Sequence, residues 1–522
     1  MSEFTSRLPR DLYCAAQVQR LDSIAIDKFS IAGFKLMQAA GSVTFDALQE
    51  RWPQVKHLVV FVGSGNNGGD GYIIAGLARQ QGLNVELVQV GDAAKLAGDA
   101  RLAFEWAEQA KVPMVSWANY LEGETASYPE QQTVLVDALL GTGLAGEVRD
   151  LYVAAIDILN GLDHPVVAVD IPSGLCSDTG KILGTAVKAK LTVTFIGMKQ
   201  GLLTYLGCGM AGEIIYHDLD VPEEVFAADN GINPSSRRID INDVSQHFSP
   251  RSLAVHKRDH GHVVVVGGNH ACGGAVLLAA EAALRTGAGL VTVLTRSHHR
   301  PAIVARRPEL MVAGTEDEGI DIATLLRAAT SIILGPGLGK SAWSRELFQF
   351  ALQAQRAHTT PLVIDADGLN LLAERNQEGV SVERDNWILT PHPGEAARLM
   401  NCESSEIQAD RFEAVRAMQN RWGGCCVLKG NGSLVCYEEN GKQRVDLCTE
   451  GNPGMATAGM GDVLSGIAGS FVAQGLTLAD SLTSAVCVHG EAGDLAMAVG
   501  GQRGMVASDL FSPIRQLVNP HI

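Results

Sequence analysis

The residues best suited to chemistry lie in the late run Gly451-Asn452-Pro453-Gly454-Met455-Ala456-Thr457-Ala458-Gly459-Met460-Gly461-Asp462. It reads as a glycine loop opening onto a helix, with an aspartate at the mouth. Glycine lets the backbone approach a ligand closely, and the first-turn N–H groups of a helix face outward and favour phosphate. The N–H groups of Gly454 to Gly461 can form an anion hole for a transferring phosphoryl group. Asp462 can deprotonate the attacking hydroxyl. Other loops of the same kind precede it: Gly267 to Ala275, Gly335-Pro336-Gly337-Leu338-Gly339, Asp365 to Asn370, Thr390 to Glu395, and Lys429-Gly430-Asn431-Gly432-Ser433. Each follows an apolar, strand-sized run. Lys429 and its loop can contact a nucleotide, and His392, between two prolines, is rigidly aimed. No Gly-x-x-x-x-Gly-Lys-Ser/Thr stretch is present, which excludes a Walker-type NTPase.

The first half carries its own set. Gly63-Ser64-Gly65-Asn66-Asn67-Gly68-Gly69-Asp70-Gly71 follows one apolar run and precedes a helical pattern. Gly-x-Gly in that context resembles the Rossmann fingerprint, with Asn-Asn-Gly-Gly-Asp filling its middle. Its amides and N–H groups suit a sugar or a phosphate. Asp137 opens a second loop through Gly141, Thr142, Gly143, Leu144, Ala145, Gly146 and Glu147. Asp170-Ile171-Pro172-Ser173-Gly174 forms a third. Ligands of parallel sheets collect outside the carboxyl ends of the strands, so the three loops converge on one crevice. There Asn67, Asp137 and Ser173 can hold a hard monovalent cation through oxygen, and Asp170 can act as acid or base. Any one of these aspartates alone reads as a turn or helix cap.

Parallel strands must position these loops. Leu58–Val62, Val85–Val90, Val134–Val136, Val166–Val169 and Leu191–Ile196 are apolar runs of strand length. They are separated by helical patterns, as in βαβ units covered on both faces. Val18 to Gly41 is helical in pattern. The alternation breaks near Gly231 to Arg238, a linker in pattern, and restarts at His262–Val266. Strands at Leu290–Leu294, Ser331–Leu334, Leu362–Ile364, Trp387–Leu389 and Cys426–Leu428 follow, with a helix over Ala275–Thr286. The expectation is two three-layer α/β domains, residues 1–230 (Rossmann-like) and 238–522.

Composition agrees with that size: 522 residues, 46% hydrophobic and 19% charged, with 57 glycines. The net charge of −17 argues against general nucleic-acid binding. Ten scattered cysteines without a Cys-x-x-Cys pair suit a reducing compartment rather than a disulfide framework or zinc site. The first residues hold no apolar core of signal-peptide length, and no apolar run is long enough to span a bilayer. A cytoplasmic location is therefore expected.

On GGNHACGGA, GPGLG, DADGLN, TPHPGE, KGNGS and NPGMATAGMGD, in that order, the second half resembles the ribokinase-like superfamily, and within it the ADP/ATP-dependent NAD(P)H-hydrate dehydratases. On LMQAAG, GSGNNGGDGY, DALLGTG and DIPSG, the first half resembles the NAD(P)H-hydrate epimerases. Together they resemble the bifunctional NAD(P)H-hydrate repair enzymes over nearly the whole chain. The resemblance implies a metabolite-repair activity. One domain interconverts the R and S hydrates of NADH and NADPH. The other phosphorylates the S hydrate's hydroxyl from ADP and expels phosphate, giving NAD(P)H and AMP. It implies Asp462 as base, with Ala275, Gly337 and His392 contacting the hydrate. Lys429, Gly430, Asn431, Gly432, Ser433 and Gly461 would contact the adenine nucleotide, with magnesium on the phosphates. In the epimerase half it implies that Asn66, Asn67, Gly68, Gly69, Asp70, the 141–147 loop and Asp170 bind the hydrate. Potassium would sit on Asn67, Asp137 and Ser173. The KGNGS loop favours ADP over ATP, and a homo-oligomer is expected. The competing reading is an ATP-dependent small-molecule kinase of the ribokinase superfamily with a non-catalytic N-terminal binding domain.

Overall fold

A computed structural model describes residues 8–123, 129, 132–377 and 385–519. Two compact units divide between Arg237 and Arg238.

The N-terminal unit is built on a 7-stranded sheet in the order Met114–Ser116, Asn84–Gln89, His57–Val62, Thr133–Ala138, Val166–Val169, Leu191–Phe195, Glu213–His217. Every pairing is parallel. Strand periodicity divides the core. Leu58, Val60 and Val62 join the cluster under the helices Ala15–Asp27, Gly33–Arg51 and Asn66–Gln80. Val59 and Phe61 point the other way, into a cluster with Ile156 and Leu159 of the helix Asp150–Gly161. Both faces are buried, which is why the strands read as continuous apolar runs. After His57–Val62 the chain moves to one side, and from Thr133 it returns on the other. The loops after these two strands therefore flank the switch point, where a crevice must open.

In the C-terminal unit the strand order is Lys442–Cys448, Ser433–Glu439, Cys425–Leu428, Trp387–Leu389, Leu362–Ile364, Ser331–Leu334, His262–Val266, Leu290–Thr295, Met311–Gly314. The last seven are parallel and the first two form an antiparallel hairpin on Cys425–Leu428. Val263 and Val265 pack under the helices Gly273–Thr286, Met460–Ala473 and Leu478–Gly500.

The structure refines three sequence readings. The helical pattern over 18–41 is carried by two helices, Ala15–Asp27 and Gly33–Arg51, interrupted where Ser30 takes a left-handed φ of 57°. The expected linker over 231–238 holds a strand, Ser236–Ile239, whose backbone is paired by Leu12↔Ser236 and Asp11↔Arg237. The hairpin was not expected, although Asn440-Gly441 marks it. Both residues have positive φ (53° and 71°), as a two-residue type I′ turn demands.

Candidate functional sites

In the N-terminal unit the three expected loops surround a cavity of about 670 Å³. Asn66, Asn67, Asp70 and Asp170 line it, as does the 141–147 loop apart from Gly146. Gly68 and Gly69 are not among its lining residues, and packing excludes a side chain at both. A Cβ on Gly68 would overlap the Gly63 carbonyl, and one on Gly69 would lie 2.6 Å from Met37. The Gly69 N–H is already bonded to the Gly65 carbonyl at 3.1 Å.

Asp137, wholly buried at its strand end, accepts the Ser173 hydroxyl at 2.6 Å and the Ser173 N–H at 2.8 Å. Burial still pushes its carboxyl up to about 6. Asn67 reaches the same region, since a Cβ on Gly141 would lie 3.8 Å from Asn67 Oδ1. The Asn67 amide is 8% exposed, and neither its oxygen nor its nitrogen has a partner. An orphaned buried oxygen next to the loop that the buried Asp137 opens fits a cation held by oxygen.

Asp170 sits in the left-handed region, with φ of 65°. Strain of this kind persists only where neighbours over-determine it. Here the neighbours are Lys199, whose ammonium donates to Asp170 Oδ1, and Thr194, whose hydroxyl donates to it at 3.2 Å. Lys199 is 1% exposed and also donates to the Phe195 carbonyl at 2.9 Å. Asp22 and Asp99 also line the cavity. Burial raises Asp22 and Asp70; Asp70 lies well above the usual carboxylate range, with the Asp170 and Asp22 charges adding to the rise. One buried lysine thus faces three carboxylates whose environments differ, a setting that separates an acid from a base. Sequence reading missed Lys199 and Asp22. Their positions on a 3₁₀ approach (Lys199 precedes Gln200–Leu203) and mid-helix carry no loop signal.

In the C-terminal unit, Gly459 caps the helix Met460–Ala473 with φ of 90°. The first intrahelical bond is from Val463 N to the Gly459 carbonyl, so the N–H groups of Met460, Gly461 and Asp462 have no acceptor inside the helix. Burial pushes Asp462 up to about 7, with the Asp365 charge adding and Lys429 opposing. Lys429 donates to Asp365 Oδ1 at 2.9 Å and lies 3.8 Å from Glu395. Asp365 also accepts the Ser465 hydroxyl at 2.7 Å, and Lys429 with these bonds holds its carboxyl below the usual range despite burial. Gly461 makes the cluster possible, since a Cβ there would lie 3.2 Å from Lys429 Nζ. Asp365 and Glu395 lie in loops visible in the sequence, but their residue types alone assign neither a role.

The 429–433 loop is braced by buried Arg411, whose guanidinium donates to the Leu428 and Gly432 carbonyls, each at 3.2 Å. Gly337 and the Ala275 loop do meet. The Asn269 N–H bonds the Gly337 carbonyl at 2.7 Å, and a Cβ on Gly337 would lie 3.3 Å from that of Ala275. His392 caps the helix Pro393–Met400, accepting the Gly394 N–H at 3.0 Å. Its ring is half exposed, and burial together with Lys429 and Arg398 lowers its pKa.

The chain has counterparts among known proteins. Residues 263–516 match the family described as NAD(P)H-hydrate dehydratase, and residues 33–201 match the YjeF-related protein N-terminus. The chain is 43% identical over 514 residues to a bifunctional NAD(P)H-hydrate repair enzyme of Coxiella burnetii, covering 98% of this chain and 99% of that one. The enzyme so named from Escherichia coli is 38% identical, over 99% of this chain and 95% of that one. Among solved structures, a ribokinase-like superfamily protein from Enterococcus faecalis is 28% identical with a TM-score of 0.50. It spans 55% of this chain and 97% of that one.

Proposed function

The chain belongs to the family of bifunctional NAD(P)H-hydrate repair enzymes, and we propose that it restores hydrated NADH and NADPH by two reactions. The N-terminal unit interconverts the R and S hydrates. The C-terminal unit dehydrates the S form at the expense of ADP, yielding NAD(P)H, AMP and phosphate. The observation that carries the reading is the Asp462 carboxyl at the mouth of the Gly459-capped helix, beside N–H groups that lack intrahelical acceptors.

The chemistry follows from leaving groups. Hydroxide leaves carbon poorly and phosphate leaves well. Asp462 takes the proton of the hydrate's hydroxyl as that oxygen bonds the terminal phosphorus of ADP, and AMP departs. The first-turn N–H groups stabilise the charge on the transferring phosphoryl group. The carbon–oxygen bond then breaks, pushed by the ring nitrogen, and loss of a proton from the neighbouring carbon restores the double bond. Ala275, Gly337 and His392 hold the hydrate, while Gly461 and the 429–433 loop hold the adenine nucleotide. Asp365, Glu395 and Asp462 outnumber Lys429 in charge, which suits a magnesium ion that neutralises phosphate. In the other unit, Asp170 moves the proton during epimer exchange, and Asn67, Asp137 and Ser173 hold potassium.

The test is recovery of the reduced-nicotinamide absorbance from a mixed-epimer NADH hydrate with magnesium, ADP and ATP being supplied separately. Complete recovery with ADP, with AMP as product, is the expected result. No recovery with either nucleotide would overturn the dehydratase reading, and a plateau at the S fraction would overturn the epimerase reading.

A further inference from the structure

Behind the phosphate-binding turn, the sulfurs of Cys448 and Cys487 and a carboxylate oxygen of Glu450 lie within 4.8 Å of one another. Cys448 ends the strand Lys442–Cys448, Glu450 leads into the Gly451 turn, and Cys487 comes from the helix Leu478–Gly500. Both thiols are buried. The Cys448 sulfur and Glu450 Oε2 are 3.8 Å apart. Around a tetrahedral zinc-type ion, with sulfur at about 2.3 Å and oxygen at about 2.1 Å, the sulfur–oxygen edge is about 3.6 Å and the sulfur–sulfur edge about 3.8 Å. The three side chains therefore stand near the edges of one coordination tetrahedron.

The strand end and the helix are in close contact here, since a Cβ on Gly490 would lie 2.8 Å from that of Glu450. Glu450 Oε1 accepts the Ile241 N–H at 2.8 Å, which fixes the carboxylate with Oε2 beside the Cys448 sulfur.

We propose that Cys448, Glu450 and Cys487 bind a borderline-soft divalent ion of the zinc class, at a site separate from the substrate-contacting residues. Two thiolates and one carboxylate suit such an ion better than magnesium or calcium, which prefer all-oxygen ligands. Binding forms two metal–sulfur bonds and one metal–oxygen bond, with water in the fourth position. It releases both thiol protons and any proton on the carboxyl, and no electrons move. The ion would tie the strand end to the helix at the root of the Gly451–Gly461 turn.

The experiment uses the full chain, stripped of metal and fully reduced, titrated with cobalt(II) and then zinc(II). The expected result is a near-ultraviolet thiolate-to-cobalt band with the visible bands of tetrahedral cobalt, saturating at one ion per chain and abolished by zinc. C448S and C487S should lose the bands, whereas C272S, which alters an exposed thiol, keeps them. E450Q keeps both thiols and should bind about tenfold more weakly or worse. Absence of the band in the reduced wild-type protein would overturn the proposal. So would its survival in both serine variants, undiminished affinity in E450Q, or a Cys448–Cys487 disulfide in protein isolated without reductant. Circular dichroism shows whether a serine variant has folded, and E450Q decides the matter if neither has.

Discussion

Asp462 is held between two pressures: burial and neighbouring carboxylates resist its ionisation, while Lys429 favours it. A base poised near the working pH is the most effective one. Asp462→Asn should therefore lower NADH formation by about 10²- to 10⁴-fold while leaving epimer exchange intact, measured on each reaction separately. The ionised form is the active one, so activity is present above the pKa and lost as pH falls through it. With the carboxyl at about 7, kcat/KM for dehydration should fall roughly tenfold per pH unit below that value. A flat profile down to pH 5 would remove Asp462 from the role of base. At the other site Lys199 is the buried cation facing Asp170, Asp22 and Asp70. Lys199→Met strands Asp170 and should cost on the order of 3 kcal/mol in denaturant unfolding of the N-terminal unit. Adding Asp170→Asn to that variant should restore part of the loss, because the stranded charge is then gone.

Elements decide which of these residues were legible in the sequence. Loop residues were, because a glycine run after an apolar strand leaves few alternatives: Asn67, Asp137, Asp170, Lys429 and Asp462 all stand at strand ends or in the first turn of the helix that follows. Lys199 and Asp22 were not, since a lysine before a 3₁₀ turn and an aspartate within a helix look like solvated surface until the sheet closes over them. Ser30 hid the break between two helices, as nothing in its type demands a left-handed φ. The hairpin signal Asn440-Gly441 was present but sits in the half dominated by parallel pairing. Gly68 and Gly69 are motif glycines at which packing also forbids a side chain. Gly68→Ala forces its methyl against the Gly63 carbonyl at the helix entrance. It should destabilise the N-terminal unit by about 1–3 kcal/mol and impair epimer exchange, leaving dehydration of pure S hydrate unchanged. Equal loss of both reactions would mean that the helix Asn66–Gln80 supports more than its own sheet.

For the molecule as a whole, each unit has its own buried clusters, and the residues named at each site come from one unit. The two reactions share only a dissociable intermediate, the S hydrate. This gives a prediction that mutated full-length chains can test without cutting the protein. Asp170→Asn alone should convert the S fraction of a mixed hydrate and then slow to the spontaneous exchange rate. Asp462→Asn alone should form almost no NADH while still equilibrating the epimers. An equimolar mixture of the two variants should carry recovery to completion, because S hydrate released by one chain can enter the intact site of another. Its rate should match that of wild-type protein at half the total chain concentration, since each variant supplies one working site per chain. A mixture that reaches completion far more slowly than that reference would mean that hydrate passes between sites of the same chain without equilibrating with solvent. A mixture that stalls at the S fraction would mean that Asp170 is needed for more than epimer exchange.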